Sequence, residues 1–131
     1  FKQKTAYEIL SGLVGSEMCI RDRSTPVGDV GEIEAVRRVF GEGTTPLVSS
    51  TKSMTGHSQG ATGAQEAIYC LLMLQHDFIA PSINIEQLDP ELKPSEIASS
   101  LVEKAKLDTV MTNSFGFGGT NGSMLLSNYK D

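Results

Sequence analysis

Residues 50–74 read STKSMTGHSQGATGAQEAIYCLLML and carry most of the information about the fold class, because a polar, glycine-rich segment passes directly into an apolar helical pattern. Residues 51–62 are typical of a loop. Apolar residues then recur at helical spacing and predict a helix over residues 63–76: Ala64, Ala67, Ile68, Leu71, Leu72 and Leu74. Since these positions are spread widely around the cylinder, we expect this helix to be buried on more than one side.

The segments on either side of this stretch predict further short elements. Apolar spacing indicates a helix from Asp29, as its cap, to residue 41, and a short buried strand follows over residues 46–50. Residues 79–85 look extended, and a weakly amphipathic stretch reaches residue 106. Two final strands are predicted at residues 109–114 and 122–129. This order is that of an α/β layered domain that lacks its beginning.

Composition restricts the classes of partner. The chain has 131 residues, and 11 Lys and Arg against 16 Asp and Glu give a net charge of −5, which argues against a nucleic acid or an anionic membrane as partner. No apolar run reaches the roughly 20 residues of a membrane span, so we expect a soluble protein. Cys19 and Cys70 lack metal-type spacing, and we expect neither a disulfide framework nor a bound metal.

Residues 1–23 fit the rest of the chain poorly. They carry four basic and three acidic side chains, whereas the other residues are strongly acidic. Residues 2–9 and 12–22 can be back-translated into nucleotide sequences that resemble the adapter and transposon-end oligonucleotides used in short-read library preparation. We therefore predict that residues 1–23 are a sequencing-adapter translation and not native, and exclude them, with Cys19, from reasoning about the fold. The native part is expected to start near Ser24 and to come from a longer gene.

The loop at residues 50–60 can be interpreted in three ways. In the first, His57 lies just before a helix, where the macrodipole favours a neutral ring that can donate a hydrogen bond to a carbonyl gaining negative charge. Lys52 would set the local field, with Glu66 as its acidic partner. In the second, Gly56 to Gly60 form the nucleophile elbow of a serine hydrolase around Ser58, although the order of acid and histidine downstream is poor. In the third, the segment is a solvated loop before a core helix.

The loop at residues 115–121, FGFGGTN, has no ionisable group. A glycine-rich backbone can cradle a phosphate, but such loops usually open a helix and bring a lysine, and this one leads into a strand. Backbone N–H groups directed at an oxyanion suit it better. Phe115 and Phe117 could alternatively fill the core.

Three other features have simple structural interpretations. Cys70 is expected to be a small core residue. His76 is expected at the surface, at the C-terminal end of its helix, where a cation is favourable. The acidic run at residues 86–96 is expected to be a solvated loop.

Two separated motifs together resemble one known family. The stretch at 50–74 and TNSFGFGGTNGSMLLS at 112–127 are similar to the C-terminal part of β-ketoacyl-acyl-carrier-protein synthases, and HDFIAPSINIEQLD at 76–89 resembles synthase I more than synthase II. The resemblance covers residues 24–131 and implies the C-terminal half of a thiolase-like α/β fold in a cytoplasmic homodimer. It implies a decarboxylative Claisen condensation between malonyl-carrier protein and an acyl group held on a cysteine. Acyl carrier protein is the implied partner, and no cofactor is implied beyond the phosphopantetheine that carries the substrates.

The resemblance also implies roles for individual residues. His57 matches the second of two family histidines that flank the carbonyl whose oxygen becomes an enolate. Lys52 and Glu66 match the family's active-site lysine and the glutamate paired with it. Phe117 matches the gating phenylalanine, whose backbone N–H joins the oxyanion hole. The implied substrate-binding residues are Thr25, which contacts the pantetheine arm, Phe115 and Gly118.

Two departures from the family pattern limit these expectations. Arg21 stands where the family has its first histidine, and neither Cys19 nor Cys70 matches the nucleophilic cysteine, which belongs far upstream. We therefore expect that the 131-residue chain does not catalyse condensation alone. The alternatives within the fold are a polyketide ketosynthase domain and a non-catalytic chain-length partner.

Overall fold

The computed structural model describes residues 16–19, 28–41, 43–116 and 121–129. The described helices are α1 (Gly28–Phe40), α2 (Lys52–Thr55) and α3 (Thr62–His76), with a 3-10 turn at Pro94–Glu96. The described strands are β1 (Ser16–Cys19), β2 (Val48–Ser49), β3 (Phe78–Ile79), β4 (Val102–Glu103), β5 (Thr109–Phe115) and β6 (Asn121–Ser127). The mixture of helices with parallel and antiparallel strands is the α/β class that the sequence predicts.

The main sheet has the strand order β2-β1-β5-β6. β1 is parallel to β2 and to β5, with Met18 opposite Val48 on one side and Met111 on the other. β5 and β6 pair in antiparallel fashion over their full lengths, which confirms the two predicted C-terminal strands. β3 and β4 form a separate two-stranded sheet.

β1 lies in the segment that sequence reasoning set aside. Residues 16–19 occupy an inner position of the main sheet and bond to strands on both sides. The backbone groups of the two neighbouring strands specify an inner strand as much as its own side chains do. A short segment without a clear alternation of apolar and polar residues can therefore take this position. The nucleotide origin of residues 1–23 stays a prediction.

α1 begins two residues before the first helical residue predicted from an Asp29 cap and ends one residue before the predicted end. Asp29 lies in the first turn of the helix and not before it, so its carboxylate faces the positive end of the macrodipole instead of serving as the predicted cap. Ile33 and Val36 are buried against Val48 of β2 and form a small core. Gly41, with φ of +86°, ends the helix in the left-handed region that glycine adopts without strain.

α3 begins one residue earlier than predicted and buries one face. Glu66, Cys70, Met73 and Leu74 recur at helical spacing and are buried, and Cys70 is fully enclosed in the main core, as predicted. The opposite face exposes three large apolar side chains to 54%, 51% and 40%: Ile68, Leu71 and Leu72. The expectation of burial on more than one side is therefore wrong for the part of the chain that the structure describes, because no described element covers this second face.

The predicted loop at 51–62 contains the short helix α2. Its turn is closed by local backbone bonds, Thr55 N–H to Thr51 O at 3.0 Å and Gly56 N–H to Lys52 O at 2.9 Å. Hydrophobic periodicity cannot detect one polar turn of this kind. Gly56 has φ 72° and ψ −173°, a combination essentially restricted to glycine, and it turns the chain away from α2.

The chain between β3 and β5 contains little regular structure. The predicted extended segment 79–85 is a strand only at its start, and the amphipathic stretch holds the 3-10 turn and β4. The acidic run is mostly exposed, but Glu96 is buried, which corrects the solvated-loop interpretation at that residue. The reason is its partner, since Arg37 of α1 forms an ion pair with it at 2.7 Å.

Candidate active site

The centre of the candidate site is a buried ion pair. Lys52 begins α2, Glu66 lies in the first half of α3, and the structure pairs Lys52 Nζ with Glu66 Oε1, as the sequence predicts. Both side chains are only 5% exposed. Burying two charges costs several kcal/mol of desolvation free energy per ion, and the attraction between the charges offsets only part of this cost. A buried ion pair is therefore weak evidence of a purely stabilising role.

The acidic member of this pair is incompletely satisfied. Glu66 Oε2 is buried and has no hydrogen-bond partner within the described part of the chain. Buried polar atoms without partners are rare in folded proteins and are concentrated at places that carry strain or function. Such an atom makes the pair a candidate functional element.

His57 lies at the exposed edge of this site. It follows Gly56, and its Nδ1 is 2.9 Å from Thr62 Oγ1. Thr62 is the first residue of α3 and is buried, whereas the histidine side chain is exposed. A buried hydroxyl thus orients a ring that a substrate can reach.

The first turns of α3 bring the predicted residues together. Thr62 and Glu66 are four residues apart and so lie on the same face of the helix. Thr62 contacts His57, and Glu66 pairs with Lys52. The sequence did not identify Thr62 as a site residue. The one feature that could have indicated it is a hydroxyl side chain next to the predicted start of a helix. A histidine N–H directed at a carbonyl oxygen can stabilise the negative charge that this oxygen gains.

The second loop begins beside this cluster. Gly63 is packed against the end of β5, since a Cβ added there would lie 3.8 Å from Ser114 Oγ. Phe115 is the last residue of β5 and is exposed, so it does not fill the core. Phe117, Gly118 and Thr25 lie outside the described residues, and their roles stay predictions.

The hydrolase interpretation does not agree with the local fold. A nucleophile elbow requires a strand that runs directly into the turn carrying the serine. Here helix α2 precedes Gly56, and the Ser58 backbone carbonyl accepts hydrogen bonds from Ala61 N–H and the Thr62 hydroxyl within a helical entry. Ser58 is therefore part of the approach to α3.

The remaining candidate groups lie away from this cluster. His76 is the exposed last residue of α3, as predicted. Among the residues that the structure describes, no group of three His, Cys, Asp or Glu side chains could hold a metal ion. Within the same residues, no helix has the length and apolar character to cross a membrane.

Fold and site together define an α/β protein in which one helix contacts an exposed histidine and carries the glutamate of a buried lysine–glutamate pair. The family described as "Beta-ketoacyl synthase, C-terminal domain" matches residues 19–86. The chain is 58% identical over 110 residues to 3-oxoacyl-[acyl-carrier-protein] synthase 1 of Haemophilus influenzae, a match covering 84% of the chain and 27% of that relative. The chain belongs to the β-ketoacyl synthase family.

Solved structures agree with this assignment. The ishigamide ketosynthase/chain length factor superposes with a TM-score of 0.80 at 32% identity, over 89% of this chain and 28% of that one. A type II PKS acyl-carrier protein in complex with its ketosynthase gives a TM-score of 0.79 at 26% identity, over 88% and 28% of the two chains. The fold is thus the thiolase-like α/β fold of ketosynthases, and the chain spans about a quarter of the length of these relatives.

Proposed function

We propose that this chain supplies part of the active site of a 3-oxoacyl-[acyl-carrier-protein] synthase, class I in preference to class II, which elongates fatty-acyl chains. The observation that carries the proposal is the set of contacts in which α3 joins His57, through Thr62, to the buried Lys52–Glu66 pair. The identity to a synthase 1 over most of this chain supports the choice of class.

The proposed reaction breaks one carbon–carbon bond and forms another. The bond between the malonyl Cα and its carboxylate breaks, carbon dioxide leaves, and the electron pair remains as the enolate of the carrier-bound thioester. The enolate carbon then attacks the carbonyl of an acyl group held on a cysteine of the parent enzyme, and the cysteine thiolate leaves. His57 would donate a ring N–H to the thioester oxygen while it carries negative charge.

Lys52 and Glu66 would support this step electrostatically. A buried ammonium acts over a longer range than one in water because the local dielectric constant is low. Glu66 keeps the ammonium charged and in place, so the pair adds a fixed dipole near the histidine without adding net charge. Their proposed role is to set the field in which His57 works.

The remaining roles are proposed on the family pattern. Phe117 would gate the site and supply an oxyanion N–H, while Thr25, Phe115 and Gly118 would contact the substrate arm. We propose acyl carrier protein as the partner, in keeping with the ketosynthase neighbour solved with its carrier protein. A cytoplasmic homodimer, with no cofactor beyond the carrier's phosphopantetheine, completes the proposal.

The test uses a chimera in which only the 110 aligned residues of this chain replace the matching residues of the Haemophilus influenzae synthase, which keeps the rest of its own sequence. Condensation of malonyl- and acyl-carrier protein is measured. We expect activity in the chimera and a loss of about 10²–10³-fold in kcat for His57→Ala, the usual effect of removing an oxyanion donor. His76→Ala, at the exposed end of α3, is the matched control and should be neutral. Equal rates for His57→Ala and the unsubstituted chimera would refute the proposal.

The isolated 131-residue chain should show no turnover, because Arg21 occupies the position of the first family histidine and no residue matches the nucleophile. Turnover by this chain that His57→Ala abolishes would contradict this expectation.

The second candidate is a polyketide ketosynthase or a chain-length partner, and the ishigamide ketosynthase/chain length factor supports it through its fold. The identity of 32% to this neighbour, against 58% to the 3-oxoacyl-[acyl-carrier-protein] synthase 1, favours the first candidate. A chimera that extends polyketide thioesters but no saturated acyl chain would reverse that order.

A further inference from the structure

Residues 82–84, here called the anchor segment, are hydrogen-bonded to the short helix that carries Lys52. The backbone N–H of Ile83 donates to Ser53 Oγ at 2.9 Å, and the side-chain amide of Asn84 donates to the Ser53 carbonyl oxygen at 3.2 Å. Both acceptors belong to the residue directly after Lys52, within the single turn of α2. The two bonds therefore act on the backbone from which the lysine side chain starts.

The anchor segment is itself held by the rest of the fold. The backbone N–H of Ser82 donates to Ala98 O at 2.7 Å, and Ala98 N–H donates to Val48 O at 2.8 Å. The Ser82 hydroxyl also accepts from the backbone N–H of Ser50 at 2.8 Å, and this bond is buried. The anchor segment therefore holds the chain both before and after Lys52.

A helix as short as α2 needs such contacts. It has four residues, and isolated helices shorter than about 12–15 residues are marginal in water, because the first turn fixes several dihedral angles for one hydrogen bond. Met54 and Thr55, which complete the turn, are exposed, so packing contributes little there. The position of α2 therefore depends on bonds to other parts of the chain.

The backbone of Asn84 suits this contact. Its φ is +64°, in the left-handed region that asparagine enters more readily than most residues. We propose that Ser53 and Asn84 are positioning residues, which hold α2 so that the ammonium of Lys52 meets Glu66 in one geometry. The Lys52 side chain is only 5% exposed, so its surroundings leave it little room to compensate for a shift of its backbone.

The catalytic consequence rests on the proposed function. In that function the buried pair sets the field in which His57 works, and a field depends on where the charges lie. Loosening α2 should therefore slow the condensation step, whereas binding of the substrates should not change. Ser53 and Asn84 would act through Lys52 and not on the substrate.

Amide hydrogen exchange of the 131-residue chain tests the contact itself. The backbone N–H groups of Thr55 and Gly56 close the turn of α2, and they exchange when this turn opens. Asn84→Asp removes the amide donor at nearly constant shape and should speed this exchange about fivefold, the usual effect of one hydrogen bond. Asn84→Gly should do the same, because glycine adopts the positive φ without strain.

Two further substitutions serve as controls. Asn128→Asp removes a similar bond elsewhere, since the Asn128 amide donates to the backbone carbonyl of Leu107 at 3.1 Å, and it should leave the exchange of α2 unchanged. Ser53→Ala removes the hydroxyl that accepts from the anchor segment and should speed the exchange. Ser53→Thr keeps a hydroxyl and should restore the original rate.

Rates of the chimera separate positioning from folding. Asn84→Asp should lower kcat about fivefold with KM unchanged, whereas Asn128→Asp should change neither constant. In a chimera that also carries Lys52→Met with Glu66→Leu, Asn84→Asp should not lower the residual kcat further, because the residue through which it acts is gone.

Unchanged exchange in Asn84→Asp and Asn84→Gly would overturn the proposal, and so would an effect of Asn84→Asp alone, which would come from its new charge. Equally fast exchange in Ser53→Ala and Ser53→Thr would remove Ser53 from it. A loss of kcat that is the same with and without the Lys52–Glu66 pair would overturn the positioning role. An inactive chimera would refute the proposed function, and the exchange rates would then decide on the contact alone.

Discussion

Two ion pairs in this chain, one buried and one partly buried, differ in how completely they are satisfied. Arg37 binds Glu96 with two bonds, Nε to Oε1 at 3.0 Å and a terminal nitrogen to Oε2 at 2.7 Å. The backbone N–H of Lys93 donates to the same carboxylate at 3.1 Å. Lys52 instead meets Glu66 through one oxygen, and the other oxygen has no hydrogen-bond partner in the described residues.

We expect this difference to separate a structural pair from a functional one. The planar fork of arginine matches a carboxylate at two points, so the Arg37–Glu96 pair fixes α1 against the 3-10 turn in one geometry. A lysine carries a compact charge on a flexible side chain. Its contact with one oxygen of Glu66 therefore compensates the negative charge of the carboxylate only in part. The first arrangement suits holding two elements together, and the second suits acting on a neighbouring group.

The largest expected effect is the loss of Lys52. Lys52→Met leaves the Glu66 carboxylate buried without its counter-charge, which should lower the free energy of unfolding by about 3–5 kcal/mol. Urea unfolding followed by circular dichroism measures this loss. The double variant Lys52→Met with Glu66→Leu should recover most of it, since an apolar pair of similar volume needs no compensation.

The same double variant separates stability from chemistry. In the chimera it should remain folded but condense poorly, because the field around His57 would be gone. A stable double variant with full activity would show that the Lys52–Glu66 pair is as structural as the Arg37–Glu96 pair.

Next in size is the loss of the arginine pair. Arg37→Ala should cost about 2–3 kcal/mol in free energy of unfolding, because Glu96 keeps its backbone bond but loses both side-chain bonds. Transferred to the chimera, the substitution should leave the KM for malonyl-carrier protein unchanged. A raised KM would place this pair in substrate binding and remove the contrast with Lys52.

A smaller effect is expected from pH. The hydrogen bonds from Arg37 are the main reason that the pKa of Glu96 lies below its ordinary value, while burial opposes the shift. A carboxyl with a depressed pKa in the folded state stabilises the fold above its unfolded pKa, about 4.3 for glutamate, and this contribution is lost as the pH falls through the folded value. Stability measured from pH 6 downward should decline less in Arg37→Ala than in the unsubstituted chain. Parallel curves would contradict this assignment.

The smallest effect is expected one residue along the same helix. Arg38 is 82% exposed and lies 3.8 Å from Glu34, which is 51% exposed. Exposed pairs of this kind contribute little because water screens them, so Arg38→Ala should change the free energy of unfolding by less than about 0.5 kcal/mol. A loss as large as that of Arg37→Ala would mean that burial is not what distinguishes these pairs.

Sequence reasoning succeeded where the determining interactions are periodic or local. The apolar spacing in α1 and α3 predicts those helices, and two runs joined by a glycine-rich segment predict the C-terminal strands. The need of a buried lysine for an acid predicts the Lys52–Glu66 pair. It failed for α2, which is held by backbone bonds within one polar turn. It also missed the partner of Glu96, because Arg37 lies 59 residues away and no local pattern joins them.

The positions of the two pairs along the chain have a further consequence, for the order of folding. Lys52 and Glu66 flank one short loop, and loops of this size close within about 0.1 μs at little entropic cost. Arg37 and Glu96 can meet only after a segment of 59 residues has been enclosed. Contacts that form after the transition state affect mainly the rate of escape from the folded state. We therefore expect the arginine pair to form late and to slow unfolding, and the lysine pair to form early, together with the turn that carries it.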